Sequence, residues 1–414
     1  MTVPRALFLT HSGVLGGAER SLLDLAAAWP AERRLMVLAE GPMAEAARAR
    51  GLTVDVEPLR ALGAIKRESG APGLGALADV ARLASKVAAV AKTMDVIHAN
   101  SQKAFVVAAA AGLLARRPVV WHLRDILSAA HFSPSNIRAS VMLANARAAA
   151  VIANSAATAA AFVDAGGKAE LVYVVHNGID AARFDAVSDA DIAATRVALR
   201  ADVVSNVNGA NGVNGADGVN GADGARGAFV LAACARLAPW KGQHVLIAAL
   251  ASLPGVHAWI IGAALFGEDA YAAGLRAQAE QLGVADRVRF LGQREDVPTL
   301  LRAADAVVHT AVDAEPFGRV VVEGMLARRP VIASDAGGVR EILRDGGTGL
   351  LVPPGDPAAL AAAVERVRAF SPAERAARCD AAHADAVARF TVPAMVAGVV
   401  AVLERVVSGR RRPR

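Results

Sequence analysis

Cysteine is nearly absent: Cys234 and Cys379 are the only two among 414 residues. They stand far apart and outside any metal-ligand spacing, so both read as reduced packing residues, not a disulfide framework or a zinc site. Aromatic residues make up only 4% while 54% are hydrophobic, much of that share alanine, which favours helices packed on sheets over an all-β fold. No apolar run reaches the roughly eighteen residues that a bilayer-spanning helix needs. The nine histidines form no HxxxH or HExxH pair. No Asp-x-Asp lies near a strand end in the second half, so no metal and no cofactor is expected. The apolar part after Met1-Thr2-Val3-Pro4-Arg5 is too short for a signal peptide and reads as a first strand. These absences predict a cytoplasmic protein.

What is present begins with charge. The balance is +6, ending in Arg410-Arg411-Arg412-Pro413-Arg414. Such a balance suits nucleic acid, an anionic membrane surface or an anionic substrate, and a solvated basic tail equally. No helix-turn-helix, RNP or zinc-finger pattern accompanies it, so nucleic acid is not expected as a partner.

A chain of this length suits two α/β domains. Strand and helix patterns alternate from Ala6–Leu9 through Leu35–Leu38, Val54–Val56, Val96–His98, Val119–His122 and Val151–Ala153. Between β-like runs lies a longer helix, about 75–92, carrying Arg82, Lys86 and Lys92, with Arg60, Lys66 and Arg67 just upstream. The first strand leads into the glycine-rich turn Gly13-Val14-Leu15-Gly16-Gly17-Ala18-Glu19-Arg20. Glycines there let backbone amides approach a phosphate, although the same residues make a plain tight turn. Two strand ends, His98-Ala99-Asn100-Ser101 and Trp121-His122-Leu123-Arg124-Asp125, sit where active-site loops leave a parallel sheet. The domain boundary is expected near Phe184, giving domains 1–183 and 184–392, with a terminal helix of about 393–410 crossing back onto the first. Glycine recurs at 209, 212, 215, 218, 221, 224 and 227, so 202–227 reads as a disordered repeat insertion without chemistry.

The second half carries the densest chemistry. Phe229–Ala233 reads as a strand delivering Cys234-Ala235-Arg236-Leu237-Ala238-Pro239-Trp240-Lys241-Gly242, where two basic residues five apart form a natural diphosphate clamp. Ala306-Val307-Val308-His309-Thr310 reads as a buried parallel strand, followed by Glu315-Pro316-Phe317-Gly318 and a helix over 318–329. The helix start at Phe317–Gly318 offers N–H groups and a positive dipole end to a phosphate. Glu323 sits inside an apolar string, a costly place for a carboxylate without a partner, and a pair of neighbouring sugar hydroxyls would satisfy it. A salt bridge would do so too.

Two glutamates eight positions apart around Pro-Phe-Gly, followed by Gly337-Gly338-Val339-Arg340-Glu341, resemble the signature of retaining glycosyltransferases of family 4. The resemblance covers nearly all of the chain except about 202–227. It implies the GT-B architecture: two Rossmann-like, doubly wound α/β domains facing a central cleft. It also implies a retaining, hexosyltransferase-type enzyme that moves a sugar from a nucleotide-diphosphate donor to an acceptor hydroxyl, in surface polysaccharide or glycolipid synthesis. By this resemblance Glu315 would contact donor-sugar hydroxyls, Glu323 the ribose, Arg236 and Lys241 the diphosphate, and His122 a sugar hydroxyl beside the reaction centre. Gly16 and Gly17 would close over the donor phosphates, and the turn at Arg294 would hold the base largely through backbone atoms. The acceptor would be a carbohydrate or lipid-linked molecule held by the first domain, with peripheral contact to an anionic membrane. A sugar-nucleotide epimerase of the same architecture, or a silent nucleotide-sugar-binding protein, are the alternatives.

Overall fold

A computed structural model of the protein describes residues 2–60, 74–208, 228–265 and 267–411. It comprises two compact units, Met1–Ile179 with Arg389–Arg414, and Asp180–Ala388. Lys66, Arg67 and positions 209–227 of the glycine repeat lie outside the described residues.

The first unit holds seven strands: β1 Ala6–Thr10, β2 Arg33–Val37, β3 Val54–Val56, β4 Val96–Ala99, β5 Val119–Leu123, β6 Ala150–Ala153 and β7 Val172–Val174. They form one sheet in the order β3-β2-β1-β4-β5-β6-β7, and every pairing is parallel. Every residue of β1, β4, β5 and β6 is buried, because parallel sheets carry crossover helices on both faces. Alternation divides the side chains between two cores. Leu7, Leu9, Ile97 and Trp121 pack with Leu83, Phe105 and Ala108 of the helices Leu74–Ala91 and Gln102–Ala115. Phe8, Val120 and Ile152 pack on the opposite face with Leu22 and Leu25 of the helix Gly17–Ala27.

That second core also takes Met395, Val396, Val399, Val402 and Leu403 of the terminal helix Val392–Arg411. Its segment Val392–Gly409 is long and apolar enough to cross a membrane, contrary to the expectation that no such stretch exists. The spacing of its buried residues follows one helical face, and that face packs on the sheet. The units part at Ile179, a few residues before the expected boundary, and the reason is backbone pairing. Ile179 N–H donates to Phe390 O at 2.8 Å and Ile179 bridges Thr391, which ties it to the returning chain. Asp180 already belongs to the next turn, its carboxylate accepting from Ala182 N–H at 3.2 Å.

The second unit has six strands: β8 Phe229–Cys234, β9 Val256–Ile261, β10 Val288–Gly292, β11 Ala306–His309, β12 Val331–Ser334 and β13 Leu350–Val352. Their order is β10-β9-β8-β11-β12-β13, again parallel throughout. In each sheet the direction of winding reverses between the first strand and the fourth, at β1/β4 and at β8/β11. Open α/β sheets bind ligands outside the carboxyl ends of strands at such a switch point.

Two helix bounds differ from expectation. The helix Asp189–Asn208 runs through 202–208, the start of the expected disordered insertion. The helix after Glu315 spans Arg319–Leu326, shorter than 318–329. Gly318 is left-handed at φ +100° and caps its start, and Arg328 at φ +54° turns the chain ahead of Pro330.

Candidate functional site

The loop after β8 runs through a short turn, Pro239–Lys241, which Pro239 opens and Gly242 closes at φ +68°. A Cβ on Gly242 would lie 1.8 Å from Thr310 O, so only glycine lets this turn press against the exit of β11. The two loops are stitched together there: Thr310 Oγ1 donates to Lys241 O at 3.1 Å and Val312 N–H to Trp240 O at 2.9 Å. The register of these bonds carries the Lys241 side chain to Glu315, with Nζ 2.5 Å from Oε2. The ammonium also lies 4.0 Å from the centroid of the Trp240 ring, and the Arg236 guanidinium stands 6.0 Å from the same ring. Gln243 Nε2 donates to Arg236 O at 2.9 Å and its Oε1 accepts from Tyr271 OH at 3.2 Å.

Glu315 is held from the other side as well. His309, the last residue of β11, places Nε2 3.4 Å from the same Oε2. The Glu315 backbone carbonyl accepts from Gly338 N–H at 2.8 Å, and a Cβ on Gly337 would come within 2.2 Å of that carbonyl. The Gly-Gly pair is therefore the seat on which the Glu315 loop rests. Burial alone would raise the Glu315 carboxyl; the Lys241 charge, with hydrogen bonds from His309 and Lys241, overcomes it and holds the group at about 2. The carboxylate is ionised across the whole physiological range.

The remaining residues expected in this unit divide. Phe317 is buried, 2% exposed, so its ring anchors the loop and only its backbone faces the helix start. Glu323 is partly buried and lies 3.6 Å from Arg319 one turn earlier, so the carboxylate already has a cation nearby. Arg294 sits on the turn after β10 in a two-pronged pair with Asp296, at 2.8 and 2.7 Å, and is 42% exposed. Lys241 and Glu315 thus meet at the β8/β11 switch point, with Arg236 on the same loop after β8 and Gly318 at the start of the helix that follows Glu315, while Arg294 stands two strands away beyond β9.

In the first unit His122 is fully buried one residue before the end of β5, and its Nδ1 lies 2.9 Å from His98 Nε2 in β4. Burial, followed by the charge of Arg124, drives both imidazoles down, His98 to about 3 and His122 well below its ordinary value. This pair is neutral and belongs to the core. The first side chain beyond β5 is Arg124, which the sequence reading passed over. Its Nε donates to Asn100 Oδ1 at 2.9 Å and its Nη1 to Asn177 Oδ1. Asn100 Nδ2 in turn donates to Ala18 O of the glycine-rich turn at 3.2 Å. One guanidinium thereby links the exits of β1, β4, β5 and β7. Gly16 precedes the helix Gly17–Ala27 as its cap, and Glu19 folds back over it: a Cβ on Gly16 would lie 2.9 Å from Glu19 Oε2. Burial raises the Glu19 carboxyl to about 7, with nearby Asp125 adding to the rise and Arg124 opposing it. Among the described residues no group of three or more His, Cys, Asp or Glu side chains is arranged to hold a metal ion.

Two doubly wound parallel units, with a lysine–glutamate pair at the switch point of the second, define a chain of the GT-B fold class. The family Glycosyltransferase Family 4 matches residues 15–183, and Glycosyl transferases group 1 matches residues 225–382. HepE of Anabaena, solved in complex with UDP and glucose and with UDP-glucose, is 38% identical over 97% of this chain and at least 99% of its own, with a TM-score of 0.82. The chain belongs to glycosyltransferase family 4. Curated relatives match over shorter lengths. The lipopolysaccharide core biosynthesis glycosyltransferase LpsE of Rhizobium meliloti is 37% identical over 33% of this chain and 39% of its own length. The phosphatidyl-myo-inositol mannosyltransferase of Mycobacterium leprae is 38% identical over 41% and 44%. The matched region thus spans about two fifths of each of these curated relatives.

Proposed function

We propose that the protein transfers a sugar from a nucleoside diphosphate to an acceptor hydroxyl with retention of configuration, in the synthesis of a surface polysaccharide or glycolipid. The observation that carries this reading is the convergence of Lys241 and Glu315 at the β8/β11 switch point, beside Arg236 and the helix start at Gly318. The cations and the helix start suit a diphosphate, and an ionised, desolvated carboxylate suits sugar hydroxyls. The UDP-glucose complex of the similar HepE makes UDP-glucose the first donor to test.

In this reading the bond between the anomeric carbon and the diphosphate oxygen breaks as the acceptor oxygen bonds to the same face of that carbon. The acceptor proton passes to a donor phosphate oxygen, so no strong protein base is needed. Lys241 and Arg236 stabilise the charge growing on the departing nucleoside diphosphate. The first unit would receive the acceptor, a carbohydrate or lipid-linked molecule, with peripheral contact to an anionic membrane from the cytoplasmic side.

Glu315→Gln tests the assignment. Removing the charge while keeping the shape should leave folding intact and lower sugar transfer by about a hundredfold or more. Near-normal turnover would sink it. A thermal-shift panel of UDP-, GDP- and ADP-sugars identifies the donor, because only a bound ligand raises apparent stability.

A further inference from the structure

Glu315 receives two protein donors, and both arrive at the same oxygen. Lys241 Nζ and His309 Nε2 each approach Oε2, at 2.5 and 3.4 Å, and among the described residues none hydrogen-bonds Oε1. An ionised carboxylate only accepts hydrogen bonds, so His309 must carry a proton on Nε2. Its other nitrogen, Nδ1, is buried and has no hydrogen-bond partner among the described residues. A histidine 6% exposed, at the end of β11, is thus committed by one nitrogen to this carboxylate. The sequence offered no signal for it beyond a polar residue closing an apolar strand.

We propose that His309 is a positioning residue that pins Oε2 of Glu315 and turns Oε1 toward the sugar hydroxyls of a bound donor. The inference rests on the donor-site reading given above. Its force comes from the dual duty of Lys241. An ammonium drawn to a diphosphate weakens its hold on Glu315 at the moment the carboxylate must bind the sugar. The His309 N–H then remains as the protein donor on Oε2, fixed by the strand rather than by a flexible four-carbon stem. The titratable groups bearing on Glu315 are Lys241, from the turn after β8, and His309 itself, from β11. Without His309 the buried carboxyl loses a hydrogen bond to its charged form, so it protonates at higher pH.

The test compares two variants of similar volume in the full chain. His309→Gln keeps an N–H near the position of Nε2, whereas His309→Met fills the space and donates nothing. The readout is the ratio of the dissociation constants of UDP and UDP-glucose, measured by calorimetry at pH 7.5, which reports the sugar contact alone. His309→Met should lose about tenfold in that ratio. His309→Gln should stay within about twofold of the native protein. If His309→Met keeps the native ratio, or if His309→Gln falls equally with it, His309 does not position Glu315. Glu315→Gln separates the two readings. An unchanged ratio in that variant overturns the donor-site reading and His309 with it. A reduced ratio there beside a native one in His309→Met overturns the His309 proposal alone.

Discussion

His98 Nε2 and His122 Nδ1 meet at 2.9 Å in the interior of the first sheet, with neither ring exposed to solvent. One N–H serves the contact, and the outer nitrogens, His98 Nδ1 and His122 Nε2, have no hydrogen-bond partner among the described residues. A proton added to either ring would be a buried charge beside the charge of Arg124. The pair is a stability element, and it titrates in an identifiable direction.

In the unfolded chain each imidazole takes up a proton near 6.5, while in the folded protein His98 resists until about 3 and His122 also lies well below its ordinary value. The unfolded state therefore binds more protons below 6.5. The stability of the pair is complete above that pH and is lost as pH falls toward the folded value. The expected slope is up to about 1.4 kcal/mol per pH unit for each imidazole. Urea midpoints between pH 7 and 5 should decline less steeply in a His98→Gln/His122→Gln double variant. Parallel profiles would show that the pair does not titrate on unfolding.

Glu19 has the opposite sign. Its carboxyl is raised from 4.5 to about 7, so the folded state holds the proton longer than the unfolded chain does. That contribution is complete below about 4.5 and is lost as pH rises through 7, leaving a buried anion at pH 8. Glu19→Gln should then be more stable than the native protein at pH 8, by at most about 3 kcal/mol, and equal to it near pH 4.5. Thermal melts at the two pH values decide it, and a variant that is less stable at pH 8 would mean that the ionised carboxylate is well paired.

Lys241 and Arg236 are proposed to meet the leaving diphosphate, the task that a divalent ion performs in metal-dependent transferases. Because the phosphate charge grows toward the transition state, Lys241→Ala should lower turnover more than it weakens binding of the nucleoside part. Transfer should also survive excess EDTA. Activity abolished by chelation and restored by Mg²⁺ or Mn²⁺ would refute the cationic clamp.

The alternation of apolar strands with amphipathic helices was legible without coordinates, because burial of parallel strands on both faces demands continuous apolar runs such as Ala6–Leu9 and Val331–Ser334. The Glu315 loop was legible too, since Pro316, Gly318 and the Gly337-Gly338 pair are backbone requirements that only a few residues satisfy. The burial of His122 was not, and the reason is one of depth along a strand. Sequence places a histidine near the end of β5, but only the parallel register, which sets His122 against Ile152 in β6 and beside β4, shows that the ring is still inside the sheet. Arg124, two residues on, is the side chain that reaches past the strand end to Asn100 and Asn177. His309 was hidden for the converse reason: it closes an apolar strand, and nothing local says that the chain returns Glu315 to it within 3.4 Å. Residue type and spacing determine which elements form and which loops must carry glycine. Which of two histidines lies in the core and which holds a carboxylate depends on contacts between strands and loops distant in sequence, and those exist only once the sheet has closed.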